Sequence, residues 1–310
     1  MDLSLIIMQL FSGIALGAVL VITALGLTIV FGMLGVVNFA HGALFMIGAY
    51  AGLYLASLTG SFWWGLLLAP LLVGAFGMLI ERVLVRRLYG RSVDDPLLLT
   101  FGLSYILVEG VRIVFGSDGI PFPTPSQLIG VVDLGFGFFP KYRLFVIALV
   151  AVVLLALWLM LEKTRVGLIV RAGARDPQIM RVLGVDIGRV WLAIFGLGVG
   201  LAALGGVLAV PMRSVNPEMG TLVLAEAFVV TVIGGLGSIV GAVVAGLMVG
   251  VCISMVALFA PEMATIVMFA LLASVLLVLP QVLFHLKGRA AWRCSRAATQ
   301  QRFTRRSTSG

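Results

Sequence analysis

The chain has 310 residues, 61% of them hydrophobic and 11% charged, with a mean hydropathy of +1.18 and a formal net charge of +8. So little polar surface cannot coat a water-soluble globule of this length, which excludes an ordinary soluble domain and leaves lipid as the solvent. The charge is concentrated: of the 21 Lys and Arg residues, four lie between Arg82 and Arg91, six between Lys163 and Arg189, and seven between Lys287 and Arg306.

From Leu3 to Ile80 there is no Asp, Glu, Lys or Arg. That run holds three crossings at about 20 residues each. Breaks are expected at 32–38, where helix-poor residues gather, and at Leu58 to Ser61, where Phe62, Trp63 and Trp64 follow as an interfacial aromatic belt. The N-terminus lacks the basic opening of a signal peptide and is read as retained.

Lys and Arg near helix ends are held on the cytoplasmic side during insertion, so all three basic clusters are expected in the cytoplasm. Three crossings that end at a cytoplasmic Arg82 put the N-terminus outside, and the basic tail puts the C-terminus inside. An odd number of crossings follows. The expected fold class is an all-α, polytopic transmembrane helix bundle of about eight to ten spans, nine favoured. The spans fall near residues 7–31, 36–57, 63–80, 97–115, 143–161, 190–210, 222–236, 239–258 and 264–284. The seventh covers about 22 Å at 1.5 Å per residue, so it reads as a full crossing or as a tilted half-helix buried among neighbours.

Residues 1–286 form the membrane domain, with a long cytoplasmic loop at 162–190. Residues 287–310, rich in Arg, Ser and Thr, form a basic tail expected to be disordered and able to touch anionic lipid head groups. Nucleic acid is the weaker explanation for the charge, because no soluble domain is available to hold it. Cys252 and Cys294 are the two cysteines, one in a span and one in the tail, so no disulfide framework exists. A bacterial-type inner membrane fits.

Glycines spaced four apart, as at Gly13 and Gly17, Gly48 and Gly52, Gly196 and Gly200, Gly237 and Gly241, and Gly246 and Gly250, allow helix backbones to approach closely. The denser Gly234-Gly235-Leu236-Gly237 run is expected to break the helix, since each glycine costs about 1 kcal/mol of helix stability. Polar residues within spans are costly and need a reason. Asn38 and His41, one helical turn apart, either form an interhelical hydrogen-bond pair or line a solute path. Glu109 and Arg112 are spaced to pair with each other. Glu226 has no partner nearby in sequence and could face an external vestibule, hold a neighbouring helix or lie along the path.

The two histidines, His41 and His285, sit in widely separated segments, and no metal-binding, nucleophile-elbow or phosphate-cradling motif occurs. No catalytic or metal site and no bound cofactor is expected, so any ATP hydrolysis belongs to another polypeptide. The loop at 162–190 bears on that point. Asp176 followed by Pro177 reads as an N-cap with proline at the first helical position, and Ile179, Met180, Val182 and Leu183 then form an apolar stripe ending at Gly184. Such a short amphipathic helix suits docking into a groove on a soluble partner or lying on the bilayer surface.

Three stretches together resemble the inner-membrane permeases of ATP-binding cassette importers for branched-chain amino acids, in particular the smaller of the two permease types. They are GLTIVFGMLGVVNFAHGALFMIGAYAG from Gly26 to Gly52, RAGARDPQIMRVLGVDIGRV from Arg171 to Val190, and NPEMGTLVLAEAFVVTVIGGLGSIVGAVVAGLMVG from Asn216 to Gly250. The resemblance covers about residues 5–284. It implies that Arg171, Ala172, Ala174, Asp176 and Gly184 belong to a loop that contacts the ATPase. It also implies that Asn38, His41 and the Gly234 to Gly237 turn lie in or beside the membrane core; Asn38, His41, Gly234 and Gly235, with Glu226 from the reading of buried polar residues above, are the candidates for a translocation path.

The implied mechanism is alternating access driven by two separate ATPases, which use ATP and Mg, with a second homologous permease and an external solute-binding protein as further partners. Two departures from the family pattern are Pro280-Gln281-Val282-Leu283-Phe284-His285, where relatives carry Pro-x-Gly-Leu-Phe-Gly, and the bulky Ile179 and Met180. Branched-chain amino acids are the substrate implied. Urea, short amides and small carboxylates are handled within the wider family and stay open, as does an ATP-independent channel or secondary transporter using Glu226 or His41. A non-transporting scaffold is the weakest alternative.

Overall fold

The first helix, α1 (Leu3–Leu34), is apolar on every face and runs through the middle of the molecule, with Ala15, Leu20, Ile22, Leu25 and Val30 at most 1% exposed. A helix without a polar stripe has no face to offer water and packs on all sides. The structure is a computed structural model that describes residues 3–89, 94–133, 135 and 137–278. Arg91, the Pro280–His285 segment, Cys294 and the basic tail at 287–310 lie outside the described residues.

Ten further helices follow: α2 (His41–Thr59), α3 (Phe62–Val83), α4 (Asp94–Phe115), α5 (Lys141–Lys163), α6 (Arg165–Arg175), α7 (Pro177–Val182), α8 (Ile187–Ala209), α9 (Met219–Gly234), α10 (Ile239–Phe259) and α11 (Ala264–Val278). Each expected span overlaps one of these helices, and the end of the ninth, residues 279–284, lies outside the described residues. Among the described residues, seven stretches are long and apolar enough to cross a membrane: 4–34, 41–59, 62–88, 94–115, 141–163, 187–209 and 239–259. The chain is a multi-pass helical membrane protein. The elements expected as the seventh and ninth spans, α9 at 16 residues and α11 at 15 described residues, are shorter. The all-helical expectation misses one small ladder between α4 and α5, where β1 (Val131–Asp133) pairs antiparallel with β2 (Phe138–Pro140) and Val132 faces Phe139.

Glycine decides which helices touch. α1 and α10 run antiparallel so closely that a Cβ on Gly250 would lie 2.3 Å from the Cα of Gly17, and one on Gly13 would lie 2.7 Å from the Cα of Val251. The pair Gly48 and Gly52 meets Ala203 and Val207 on α8, and Gly196 meets Met78 on α3. These are the close approaches that the four-residue glycine spacing predicts.

The two ends of the bundle differ. At one end, called here the basic end, Arg86 reaches the backbone of Gly188 at 2.8 Å, which brings the first basic cluster beside the loop that carries the second. At the other end Ile120 and Val215 exchange backbone hydrogen bonds, and Arg112 pairs with Glu109 at 2.5 Å, as their spacing predicts, and also with Glu218.

Candidate functional site

The second expected span begins later than its apolar composition suggests, because the chain between α1 and α2 leaves the helix inside the bundle. Gly35 takes a left-handed φ of 67°, and helix resumes only at His41. His41 Nε2 lies 2.9 Å from the carbonyl of Thr23. Thr23 is about eleven residues, or about 16 Å of helix, before the end of α1. The linker therefore climbs back alongside α1, and α2 starts well within the helix stack. Non-helical backbone at such depth must find its partners in protein. Asn38 Oδ1 accepts from the Ala40 N–H at 3.1 Å, and Thr100 Oγ1 on α4 accepts from the Phe39 N–H at 3.1 Å.

Asn38 and His41 are thus 1% and 0% exposed; the His41 N–H donates to the Asn38 carbonyl at 3.2 Å, but their side chains are not paired with each other. Asn38 holds the turn and His41 ties α2 to α1. Neither lines the small cavity at the junction of α1, α2, α8 and α9. That cavity is walled by Leu16, Leu20, Phe45, Val223, Arg213 and Glu226, among others. Glu226, which has no partner along its own helix, meets Arg213 from the segment after α8, with Nη1 and Oε1 3.9 Å apart. The other carboxylate oxygen, Oε2, is buried without a hydrogen-bond partner.

α9 lies against α2 through two glycines: a Cβ on Gly42 would fall 2.1 Å from the Gly220 carbonyl oxygen. It lies against α1 through Thr231, whose hydroxyl donates to Ala227 at 2.8 Å and accepts from Thr28 at 3.3 Å. The expected break after it is present. Gly235 and Gly237 have φ of 89° and 88°, conformations that glycine adopts without steric cost, and a Cβ on Gly234 would lie 2.5 Å from the Gly241 backbone. α9 and α10 accordingly form a tight hairpin.

At the basic end the loop between α5 and α8 holds two helices where one was expected. α6 is capped by Thr164, and α7 by Asp176, whose Oδ1 accepts from the Gln178 and Ile179 N–H groups at 2.9 and 3.0 Å. Pro177 sits at the first position of α7, and Gly184 (φ 81°) ends the turn, both as the sequence predicts. Arg171 pairs with Glu162 at 2.6 Å, Ala172 is half-buried and Ala174 is exposed. The apolar stripe of α7 divides: Met180 is buried against the bundle, whereas Val182 is 88% and Leu183 70% exposed.

A protein-family model described as branched-chain amino acid transport system, permease component, matches residues 9–276. The chain belongs to that family. It is similar to LivH, the high-affinity branched-chain amino acid transport system permease protein of Salmonella typhimurium, at 32% identity over 88% of this chain and 93% of that one. The correspondingly named BraD of Pseudomonas aeruginosa matches at the same identity and coverage, and a probable LivH of Methanocaldococcus jannaschii at 30% over 76% of each chain. A solved structure, PsaBC from Streptococcus pneumoniae in complex with Fab, overlays with a TM-score of 0.49 at 14% identity, covering 86% of this chain and 89% of that one.

The permease also contains a polar cluster that the sequence does not announce. Glu81 on α3 is 0% exposed and is held by Arg86 at 3.0 and 3.2 Å and by the Tyr89 hydroxyl at 3.0 Å. Burial and the adjacent carboxylate both push the Tyr89 phenol above its ordinary pKa, so it stays a donor to Glu81. The Tyr89 ring packs edge-on against Trp191 of α8. A spacing of five residues is not a helix pairing. It works here because α3 ends at Val83 and a 3-10 turn, Val85–Leu88, folds Arg86 back. The usable signal was that Glu81 is the first acid after a long uncharged run.

Proposed function

We propose that this permease is the membrane subunit of an ATP-binding cassette importer in a bacterial inner membrane and forms the translocation path for branched-chain amino acids. The names of its relatives supply the substrate class. The observation that carries the division of labour is the pair of apolar side chains, Val182 and Leu183, presented to solvent on a capped helix beside the basic clusters. Large exposed apolar side chains on an ordered element mark an interaction surface.

The topology that goes with this reading has nine crossings, with α9 and α11 as the two short ones, the N-terminus outside and the basic end in the cytoplasm. Arg171, Ala172, Ala174, Asp176 and Gly184 then belong to the loop that two ATPase subunits grip. Asn38, His41, Glu226, Gly234 and Gly235 belong to the core that moves. The chain itself performs no hydrolysis and binds no cofactor. ATP and Mg are used by the partner ATPases, a second permease completes the path, and an external binding protein delivers the solute.

Such a core alternates between two packings. ATP binding favours one of them because the ATPases bind it better, as any ligand-driven shift requires. Capture by a separate binding protein removes the need for tight binding inside the membrane. The testing experiment is ATP hydrolysis by the purified complex with an added binding protein loaded with leucine, isoleucine or valine. Stimulation is expected, and absence of stimulation by all three rules out the assignment.

A further inference from the structure

Arg213 and Glu226 face the same small cavity with their charged atoms 3.9 Å apart, at the outer limit of an ion pair. Glu226 is 15% exposed in its side chain, and its Oε2 has no donor. A buried carboxylate oxygen without a donor is costly, and a cation placed beside it removes that cost. The remaining wall is hydrocarbon, from Leu16 and Leu20 on α1, Phe45 on α2 and Val223 on α9. One anion, one cation and an aliphatic and aromatic wall complement a zwitterion that carries an apolar side chain.

We propose that Glu226 and Arg213 form a transient binding site for an aliphatic α-amino acid within the permease. Glu226 receives the ammonium group, Arg213 the carboxylate, and the Leu16, Leu20, Phe45 and Val223 wall the side chain. The assignment rests on the amino-acid reading above and adds where the substrate sits and what holds each end of it. With no ligand bound, the two charges partly neutralise each other across the cavity. A bound zwitterion replaces that one loose pair with two closer ones, a modest gain that suits a site which must also release.

The cavity as seen is about 20 Å³, space for about one water molecule, so this is the closed form of the site. Opening it takes a displacement of α9 away from α1 and α2. The chain permits that displacement. α9 is joined to its neighbours by non-helical residues 210–218 on one side and by the Gly235 and Gly237 turn on the other, and the hydroxyl-to-hydroxyl hydrogen bond linking it to α1 near its far end, Thr28 to Thr231, is 3.3 Å long.

The test uses the full importer, with its ATPases, second permease and binding protein, reconstituted in vesicles. Leucine uptake by the wild-type complex is the control for the amino-acid reading itself, and its absence overturns that reading together with this one. With uptake present, Glu226→Gln and Arg213→Gln are each expected to lower the initial rate about tenfold or more. The exchanged pair, Glu226→Arg with Arg213→Glu, restores a structural ion pair but presents each ligand group with its own sign, and it is expected not to restore uptake.

Wild-type rates in both single variants, or recovery in the exchanged pair, overturn the proposal. Because the variants could fail to assemble, a second measurement uses the unaltered protein: photo-crosslinking with a diazirine analogue of leucine during turnover. Adducts at Leu16, Leu20, Phe45 or Val223 support the site, and adducts confined to other residues overturn it.

Discussion

Arg86 grips the fully buried carboxylate of Glu81 through two nitrogens, Nε at 3.2 Å and Nη2 at 3.0 Å, and Nη2 also donates to the Gly188 carbonyl at 2.8 Å. Gly188 lies in the first turn of α8, directly after the loop that presents α6 and α7. The pair therefore fastens that loop's return to the end of α3. One guanidinium thus links α3 and α8, two core helices, at the loop's end.

Removing one side of this pair should cost unequally. Arg86→Ala leaves a buried carboxylate without its counter-charge and with only the Tyr89 hydroxyl as a side-chain donor, at about 3 kcal/mol. Glu81→Gln frees an arginine that is already 35% exposed and can turn to water, so the loss is smaller, about 1 kcal/mol. Thermal unfolding midpoints in detergent will rank the two variants, and a greater loss from Glu81→Gln would contradict the geometry.

Gly42 and Gly102 are both helical glycines, yet their replacement by alanine is expected to act in opposite directions. At Gly42 the new methyl would meet the Gly220 carbonyl oxygen at 2.1 Å, forcing α2 and α9 apart at a cost of about 1–3 kcal/mol. At Gly102 nothing lies within 4 Å, and alanine gains up to about 1 kcal/mol of helix propensity. Comparison of unfolding midpoints for the two variants checks this, and equal effects would show that backbone contact does not set the α2–α9 distance.

The linker between α1 and α2 depends on Thr100, whose hydroxyl is the acceptor for the Phe39 N–H. Thr100→Val keeps the shape and removes the acceptor, at about 1–2 kcal/mol, whereas Thr100→Ser keeps it and costs less. Faster hydrogen exchange at Phe39 in the valine variant, relative to serine, is the expected readout.

On α7, Val182→Asp with Leu183→Asp should leave folding unchanged, since both side chains are already in solvent. The expected effect is loss of the ATPase subunits from the complex on purification. Asp176→Ala, by contrast, removes the cap from two N–H groups and should cost about 1 kcal/mol locally, with partial loss of attachment. Full ATPase recovery with the double aspartate variant would place the docking surface elsewhere.

Much of the architecture was legible in the sequence because a bilayer leaves few choices. Uncharged runs and basic clusters located the helices, four-residue glycine spacing marked the contacts of α1 with α10 and of α2 with α8, and Asp176-Pro177 announced the start of α7. Boundaries set by side chains far away in sequence were hidden. α2 begins at His41 rather than residue 36 because Asn38 and Thr100 hold the preceding turn open. α6 escaped notice because its residues at 165–175 carry three arginines and two glycines, a composition that reads as loop. The Glu81 and Arg86 pair required knowing that a helix ends between them, and the approach of Arg213 to Glu226 required the turn after α8.

The most direct test of the account is leucine uptake into vesicles containing either this chain alone or the complete importer, with and without ATP. Uptake only by the complete complex, and only with ATP and the binding protein present, is the predicted result. ATP-independent uptake by the isolated chain would contradict it.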